Sequence, residues 1–396
     1  MILSWLIFAA AGVLLFASAW TVLPAWTYAL LIFGIGAPEV SAWLCAASLV
    51  VCVLARGSSR LSKAAFLMAA SAVILASIPL GRAPFAISRF DAEMTRALGD
   101  NFLEGVPAPV VRGMRERPIQ VVDLFRGIPA GEANVTSGIR FASPDGKPLT
   151  MTVYRPNGNG HFPSIVQIYG GAWQSGAPHD SAQFARYFAA RGYVVFAVDY
   201  RHAPRWTWPA QIDDVRTAIE WVRVHAGDYN ADSSRIAVIG RSSGAQLALI
   251  SAYGPRAPRV RAVVSYYGPV DLAEGYRHPP QPDPLDARAV EETFLAGTPD
   301  SAPDRYRDAS PITYVTRPLP PTLLVYGGRD HIVEARFGRM LHERLLATGT
   351  TSALLELPWA EHAFDLVPNG VSGQISLYYT ERFLAWALTR EPRATR

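Results

Sequence analysis

The order of hydrophobic and polar positions divides the chain into an apolar N-terminal region and an ordinary globular remainder. Residues 1–23 carry only Ser4, Ser18 and Thr21 as polar interruptions, residues 25–55 are apolar except near Pro38-Glu39, and residues 64–80 form a third apolar stretch. These segments are greasy all round, so they do not read as core helices with one polar face. The first is long enough to cross a bilayer and the last sits at the lower limit. The pattern predicts a transmembrane region at 1–81 with three helices, or four if the chain turns at Pro38-Glu39. Glu39 is expected to be an interfacial loop acid beside a proline. Ala17-Ser18-Ala19 resembles a leader cleavage site, but no Lys or Arg precedes it and more apolar segments follow.

Residues 82–137 read as a connector, with a helical spacing at Phe90, Met94, Ala97 and Leu98. From Gly138 the pattern changes. "GIRFA" and "LTMTVY" flank the turn "SPDG", a hairpin signal. "SIVQIY", "YVVFAVDY", "RIAVIG", "VRAVVSYY", "TLLVYG" and "SALLELPW" follow as mostly continuous apolar runs, which suit strands buried on both faces. Helical stretches separate most of them. This alternation predicts an α/β unit at 138–396, a mainly parallel sheet flanked by helices. Residues 271–318 interrupt it and are expected to form a cap-like insertion or pocket wall.

Charge and composition narrow the function classes. The net charge is +4, almost all of the positive side chains are Arg, and they interleave with acids. No nucleic-acid partner is expected from that distribution. The one tight cluster, Arg112, Arg115 and Arg117, reads as a solvated or headgroup-facing surface. No Cys/His spacing suggests zinc and no phosphate-binding or dinucleotide fingerprint is present, so no metal or organic cofactor is expected. Cys45 and Cys52 both lie in the apolar region.

The candidate chemistry begins at Gly240-Arg241-Ser242-Ser243-Gly244, which joins an apolar run to a helical stretch. In a parallel sheet, loops at the carboxyl ends of strands bind ligands. A serine held at a sharp strand-to-helix turn needs small neighbours two before and two after it. The turn projects the Ser242 hydroxyl and leaves the Ser243 N–H at the start of a helix. A helix-capping serine would not explain the paired glycines.

In that setting the sequence resembles the α/β-hydrolase superfamily, most of all the hormone-sensitive-lipase-like esterases. The resemblance implies an α/β-hydrolase fold and the chain order nucleophile, acid, histidine. "LLVYGGRDHIVEARF" supplies Asp330, and "LPWAEHAFD" supplies His362 after the final strand. His331 directly follows the acid and cannot easily turn back to meet it; Asp271, also after a strand, is the rival acid. Ser242 is expected as nucleophile, His362 as general base and then acid, and Asp330 as its orienter. Similar esterases carry His-Gly-Gly-Gly or His-Gly-Gly-Ala where this chain has Tyr169-Gly170-Gly171-Ala172. By resemblance, the N–H groups of Gly171 and Ala172 join that of Ser243 around an oxyanion. The tyrosine leaves those donors intact but changes how the loop is braced. In "VDYRHAPRWTWPAQIDDV", Asp199, Arg201 and Asp214 are expected to be structural ion-pairing positions.

The expected activity is that of a membrane-anchored serine hydrolase cleaving small-molecule or lipid esters through an acyl-enzyme. Trp173, Trp206, Trp208, Tyr266, Tyr267 and Trp359 are candidates to face an apolar substrate group. An amidase or deacetylase with the same triad, or a catalytically silent binding or scaffold protein, are the alternatives. Arg56, Arg60 and Lys63 between the second and third apolar segments favour an extracytoplasmic catalytic domain, whereas Arg82, Arg89 and Arg96 argue the reverse.

Overall fold

The apolar segments form helices, which satisfy backbone N–H and C=O groups within the segment itself. The structure is a computed structural model that describes residues 2–390; Met1 and 391–396, the ends of the expected ranges 1–81 and 138–396, lie outside the described residues. The first four helices are α1 (Ile2–Ala19), α2 (Tyr28–Glu39), α3 (Ser41–Leu54) and α4 (Arg60–Leu98). Helices α1 and α4 are each long and apolar enough to cross a membrane, and α2 with α3, bent by 77°, counts as a third crossing only when taken together. Alone, at about 1.5 Å per residue, neither α2 nor α3 reaches the roughly 30 Å of a hydrocarbon core. The chain does turn at Pro38-Glu39, giving four helices, of which two, or three with the bent pair taken as one, are long and apolar enough to cross a membrane. Ala11, Val51, Ala55, Ala65 and Ala69 form the seam between α1, α3 and α4, a small-residue interface of the kind that lets helices approach closely in lipid.

The two short helices α5 (Ala108–Gly113) and α6 (Val121–Arg126) precede the sheet. Strands β1 (Asn134–Ala142), β2 (Leu149–Arg155), β3 (Phe162–Ile168), β4 (Val194–Val198), β5 (Ala231–Arg241), β6 (Ala262–Tyr266), β7 (Thr322–Gly327) and β8 (Ser352–Leu357) form one sheet in the order β1-β2-β4-β3-β5-β6-β7-β8. Strand β2 is antiparallel to both of its neighbours, and β4 through β8 along the sheet run parallel. The intervening helices are α7 (Ala182–Ala189), α8 (Ala210–His225) and the wholly buried α9 (Ser243–Tyr253). Helices α10 (Leu272–Arg277), α11 (Ala287–Leu295) and α12 (Pro303–Asp308) occupy the insertion between β6 and β7. Helices α13 (Ala335–Ala347) and α14 (Val371–Leu388) complete the fold.

Three sequence expectations change here. Helix α4 runs unbroken across the expected boundary at 81/82, with Pro79 and Pro84 inside it. Its second half belongs to the sheet: Arg89 donates to the Glu356 carbonyl at 2.9 Å, Arg96 to the Ser352 carbonyl at 2.8 Å, and Glu93 accepts the Leu354 N–H at 3.1 Å. These alternate backbone groups are the free edge of β8, which would otherwise invite pairing with another strand. Glu39 is not a loop acid; it is 2% exposed and accepts the Ser372 N–H at 2.8 Å. It caps the first turn of α14 from another element, where helix donors have no partner of their own. Arg115 is not a surface residue either. It is 5% exposed, donates to Gln374 at 2.6 Å and pairs with Asp123 at 2.9 Å, tying α6 to α14.

Candidate active site

The loops leaving β3, β5, β7 and β8 meet at one edge of the sheet. Between β5 and α9, Ser242 adopts φ 52° and ψ −125°, a region costly for any residue with a side chain. Its N–H is held by the Tyr266 carbonyl at 2.9 Å. A Cβ on Gly240 would lie 2.1 Å from the Gly244 carbonyl oxygen, and one on Gly244 would lie 2.2 Å from that of Tyr169. Both contacts are with backbone, so the paired glycines are needed for strand, helix and neighbouring loop to touch.

Ser242 occupies the N-cap position of α9, yet its side chain makes no capping bond. Its Oγ lies instead 3.0 Å from His362 Nε2. His362 Nδ1 lies 2.8 Å from Asp330 Oδ2, and Asp330 Oδ1 accepts the N–H groups of Ile332 at 2.8 Å and Val333 at 2.7 Å. With the proton on Nδ1, the carboxylate leaves Nε2 as an acceptor facing the serine hydroxyl. Burial pushes the Asp330 carboxyl above its usual range, and the His362 ring opposes that push.

The two decoys take other positions. His331 Nδ1 meets Glu361 Oε2 at 2.5 Å and its N–H donates to Glu361 Oε1 at 2.7 Å, while the same oxygen accepts the His362 N–H at 3.0 Å. The Glu361 hydrogen bond raises the His331 pKa. This pair braces the loop that carries His362. Asp271 caps α10 through the Glu274 N–H at 3.0 Å.

After β3, Gly171, Ala172 and Trp173 all have positive φ, 132°, 53° and 59°. Among the described residues, the N–H groups of Gly171 and Ala172 meet no backbone acceptor; that of Ser243 opens the first turn of α9. Tyr169 braces this loop from below. Its hydroxyl donates to Asp199 at 2.5 Å and lies 2.8 Å from His202 Nε2, and its ring stacks on Tyr200 with centroids 4.5 Å apart. Asp199 therefore serves Tyr169 and the Tyr200 N–H, not an ion pair. Arg201 does form a paired contact, donating to both oxygens of Asp214 at 2.8 Å and reaching Asp145 at 2.5 Å.

A cavity of about 480 Å³ opens above Ser242 and His362. Of the expected aromatic residues, Trp173 and Tyr267 line it, whereas Tyr266 and Trp359 are packed in the core. The insertion contributes Leu285, Val290 and Glu291. Glu291 is 7% exposed and its Oε2 has no partner among the described residues. Burial, with Asp271 and Asp283 nearby, pushes its carboxyl well above the usual range.

Sequence reasoning missed two features. Arg241, the second residue of the serine motif, is buried and pairs at 2.5 Å with Asp365, which also accepts the Tyr267 hydroxyl. The Tyr267 ring lies 4.5 Å from the His362 ring, so a basic residue inside the motif was a signal of this support. Second, α2 lines the cavity through Tyr28, Leu31 and Ile35, for which the uniformly apolar segment gave no signal.

Residues 151–345 match the family described as BD-FAE. The chain is 32% identical over 241 residues to the probable carboxylic ester hydrolase LipM of Mycobacterium tuberculosis, covering 57% of this chain and 54% of that one. It is 36% identical over 229 residues to Esterase LipC of the same organism, covering 53% and 55%. The chain thus spans about half the length of the curated relatives it matches. Among solved structures, a bacterial heroin esterase superposes with a TM-score of 0.57 at 23% identity, over 78% of this chain and 92% of that one. Esterase 2 of Thermogutta terrifontis, phosphonylated by sarin, gives 0.53 at 24% identity, over 65% and 94%. The fold is that of the α/β-hydrolases.

Proposed function

We propose that the chain is a membrane-anchored serine hydrolase that cleaves carboxylic esters through an acyl-enzyme. The observation that carries this reading is the unbroken line from Ser242 Oγ through His362 to Asp330, at 3.0 and 2.8 Å. His362 takes the serine proton as Ser242 attacks the ester carbonyl, and Asp330 stabilises the imidazolium that forms. The N–H groups of Gly171, Ala172 and Ser243 receive the developing oxyanion. His362 then returns the proton to the leaving alcohol, and a water activated the same way releases the acid. The printed names of LipM and LipC support an ester as the substrate.

The anchor is α1, the bent α2–α3 pair and the first half of α4. Arg329 donates to the carbonyls of Thr21 and Val22 just after α1, so that end of the bundle lies at the catalytic unit. The seam residues Ala55 and Ala65 flank the turn bearing Arg56, Arg60 and Lys63 at the opposite end. Of the three opposing arginines, Arg89 and Arg96 are engaged with β8 and Arg82 is not. The positive-inside tendency then favours an extracytoplasmic catalytic unit. The test is steady-state hydrolysis of p-nitrophenyl butyrate and of the matching anilide by detergent-solubilised protein, with Ser242→Ala alongside. Ester turnover that the variant lacks supports the reading. Anilide turnover exceeding ester turnover points to an amidase, and no turnover of either overturns the hydrolase assignment.

A further inference from the structure

We infer that the substrate is a long-chain acyl ester drawn from the bilayer, its chain seated against α2; this rests on the hydrolase reading above. Tyr28, Leu31 and Ile35 are spaced three and four apart, the repeat of one helix face, and that face lines the cavity over Ser242. Two apolar side chains between them on α2 look outward: Ile32 is 70% exposed and Phe33 43%. One helix thickness therefore separates the cavity from the surface that meets lipid. Two residues do both jobs at once. Tyr28 and Leu366 line the cavity, yet they are 67% and 65% exposed, which makes them the rim of its mouth.

The apolar belt does not stop at the anchor. Trp43 of α3 donates to the Leu124 carbonyl at 3.0 Å and meets the Phe125 ring with centroids 4.9 Å apart. It thereby continues the belt onto α6, where Val121 and Val122 are largely exposed. Asn369, three residues from Leu366, donates to the same Leu124 carbonyl at 3.3 Å. Large apolar side chains thus run from the anchor past the mouth. A contiguous exposed apolar patch of this kind marks a surface that contacts other apolar matter, and its continuity with the spanning helices commits it to the bilayer. Water-soluble short esters would gain nothing from a mouth placed there. Each methylene seated against α2 is expected to improve kcat/KM about three- to fourfold until the wall is filled.

The test uses full-length protein in phosphatidylcholine nanodiscs and a long-chain alkyl fluorophosphonate with a diazirine at the far end of its chain. The phosphonate reports on Ser242, and irradiation reports what the chain end touches. An adduct on Ser242 with crosslinks at residues 28–35 supports the inference. An adduct with crosslinks confined to the insertion or to α13 overturns it and leaves the hydrolase reading intact. No adduct on Ser242 overturns the hydrolase reading itself. In a second measurement, Leu31→Trp narrows the α2 wall and is expected to lower the ratio of kcat/KM for decanoyl over butanoyl esters at least tenfold. An unchanged ratio in protein that still labels with a short fluorophosphonate contradicts the proposed seat; Ile35→Trp replaces it if that variant does not fold.

Discussion

Gly244→Ala adds one methyl group, and the structure says where it would go. The new Cβ would lie 2.2 Å from the Tyr169 carbonyl oxygen and 2.6 Å from that of Ile168. Carbon and oxygen need about 3.3 Å even in a close C–H···O contact, so the end of β3 and the start of α9 must part by roughly 1 Å. Neither side can yield by rotating a side chain, because every offending atom is backbone. Overpacking of this kind costs about 1–3 kcal/mol of stability. The catalytic cost is larger, because β3 leads into the loop of Gly171 and Ala172 while α9 starts beside Ser242. Misplacing reacting groups by about 1 Å costs on the order of 100-fold in rate. The expected result is a folded variant, a few degrees less stable, with kcat on p-nitrophenyl butyrate down about 100-fold. Gly227→Ala is the control: a Cβ there meets nothing within 4 Å, and both readouts should stay at wild-type values. Activity within threefold of wild type in Gly244→Ala would refute the close-approach account of the paired glycines.

Other perturbations follow from the same contacts. Tyr169→Phe removes the hydroxyl held by Asp199 and His202; it should lower melting stability by about 1–3 kcal/mol and reduce kcat more than it raises KM, whereas an unchanged kcat would show that the loop needs no such brace. Arg201→Ala strands Asp214, which is 3% exposed, and should cost about 3–5 kcal/mol in denaturant unfolding; a loss below 1 kcal/mol would contradict the buried-pair reading. Glu291 has a raised carboxyl in the folded state, so the folded chain keeps a proton that the unfolded chain releases above about pH 4.3. Its contribution is therefore intact below that pH and is lost as pH rises, by up to about 1.4 kcal/mol per unit, until the folded group ionises. Glu291→Gln should then gain melting temperature relative to wild type between pH 5 and 8, and a pH-independent difference would exclude the effect.

What the sequence made legible was local. The strand-to-helix serine turn could be read because Gly240 and Gly244 are dictated by contacts within a few residues and one neighbouring loop. The alternation of apolar runs likewise reports directly on a sheet buried on both faces. His362 could be separated from His331 because adjacent residues on a strand end point apart, and the structure places His331 on Glu361 instead. Long-range partners were not legible. An all-apolar helix has no polar face to mark which side is covered, so neither the cavity wall on α2 nor the capping role of Glu39 left a pattern. The end of the apolar stretch at residue 80 suggested a boundary at 81/82, but α4 continues because its second half is held by contacts with β8 and α14, as in Tyr379 donating to Asp91 at 2.8 Å. Arg115 and Asp199 were misjudged for a related reason: charge in sequence does not reveal whether its partner is water, an opposite charge or a tyrosine hydroxyl.

The central claim is that Ser242 is a nucleophile activated by His362. The most direct measurement is labelling of the solubilised protein with a short fluorophosphonate, mapped by peptide mass spectrometry, with His362→Ala beside it. One adduct is expected, on Ser242, formed rapidly in the wild type and at least 1,000-fold more slowly in the variant, about the loss that follows removal of a triad member. An adduct elsewhere, or labelling of Ser242 at the same rate without His362, would contradict it.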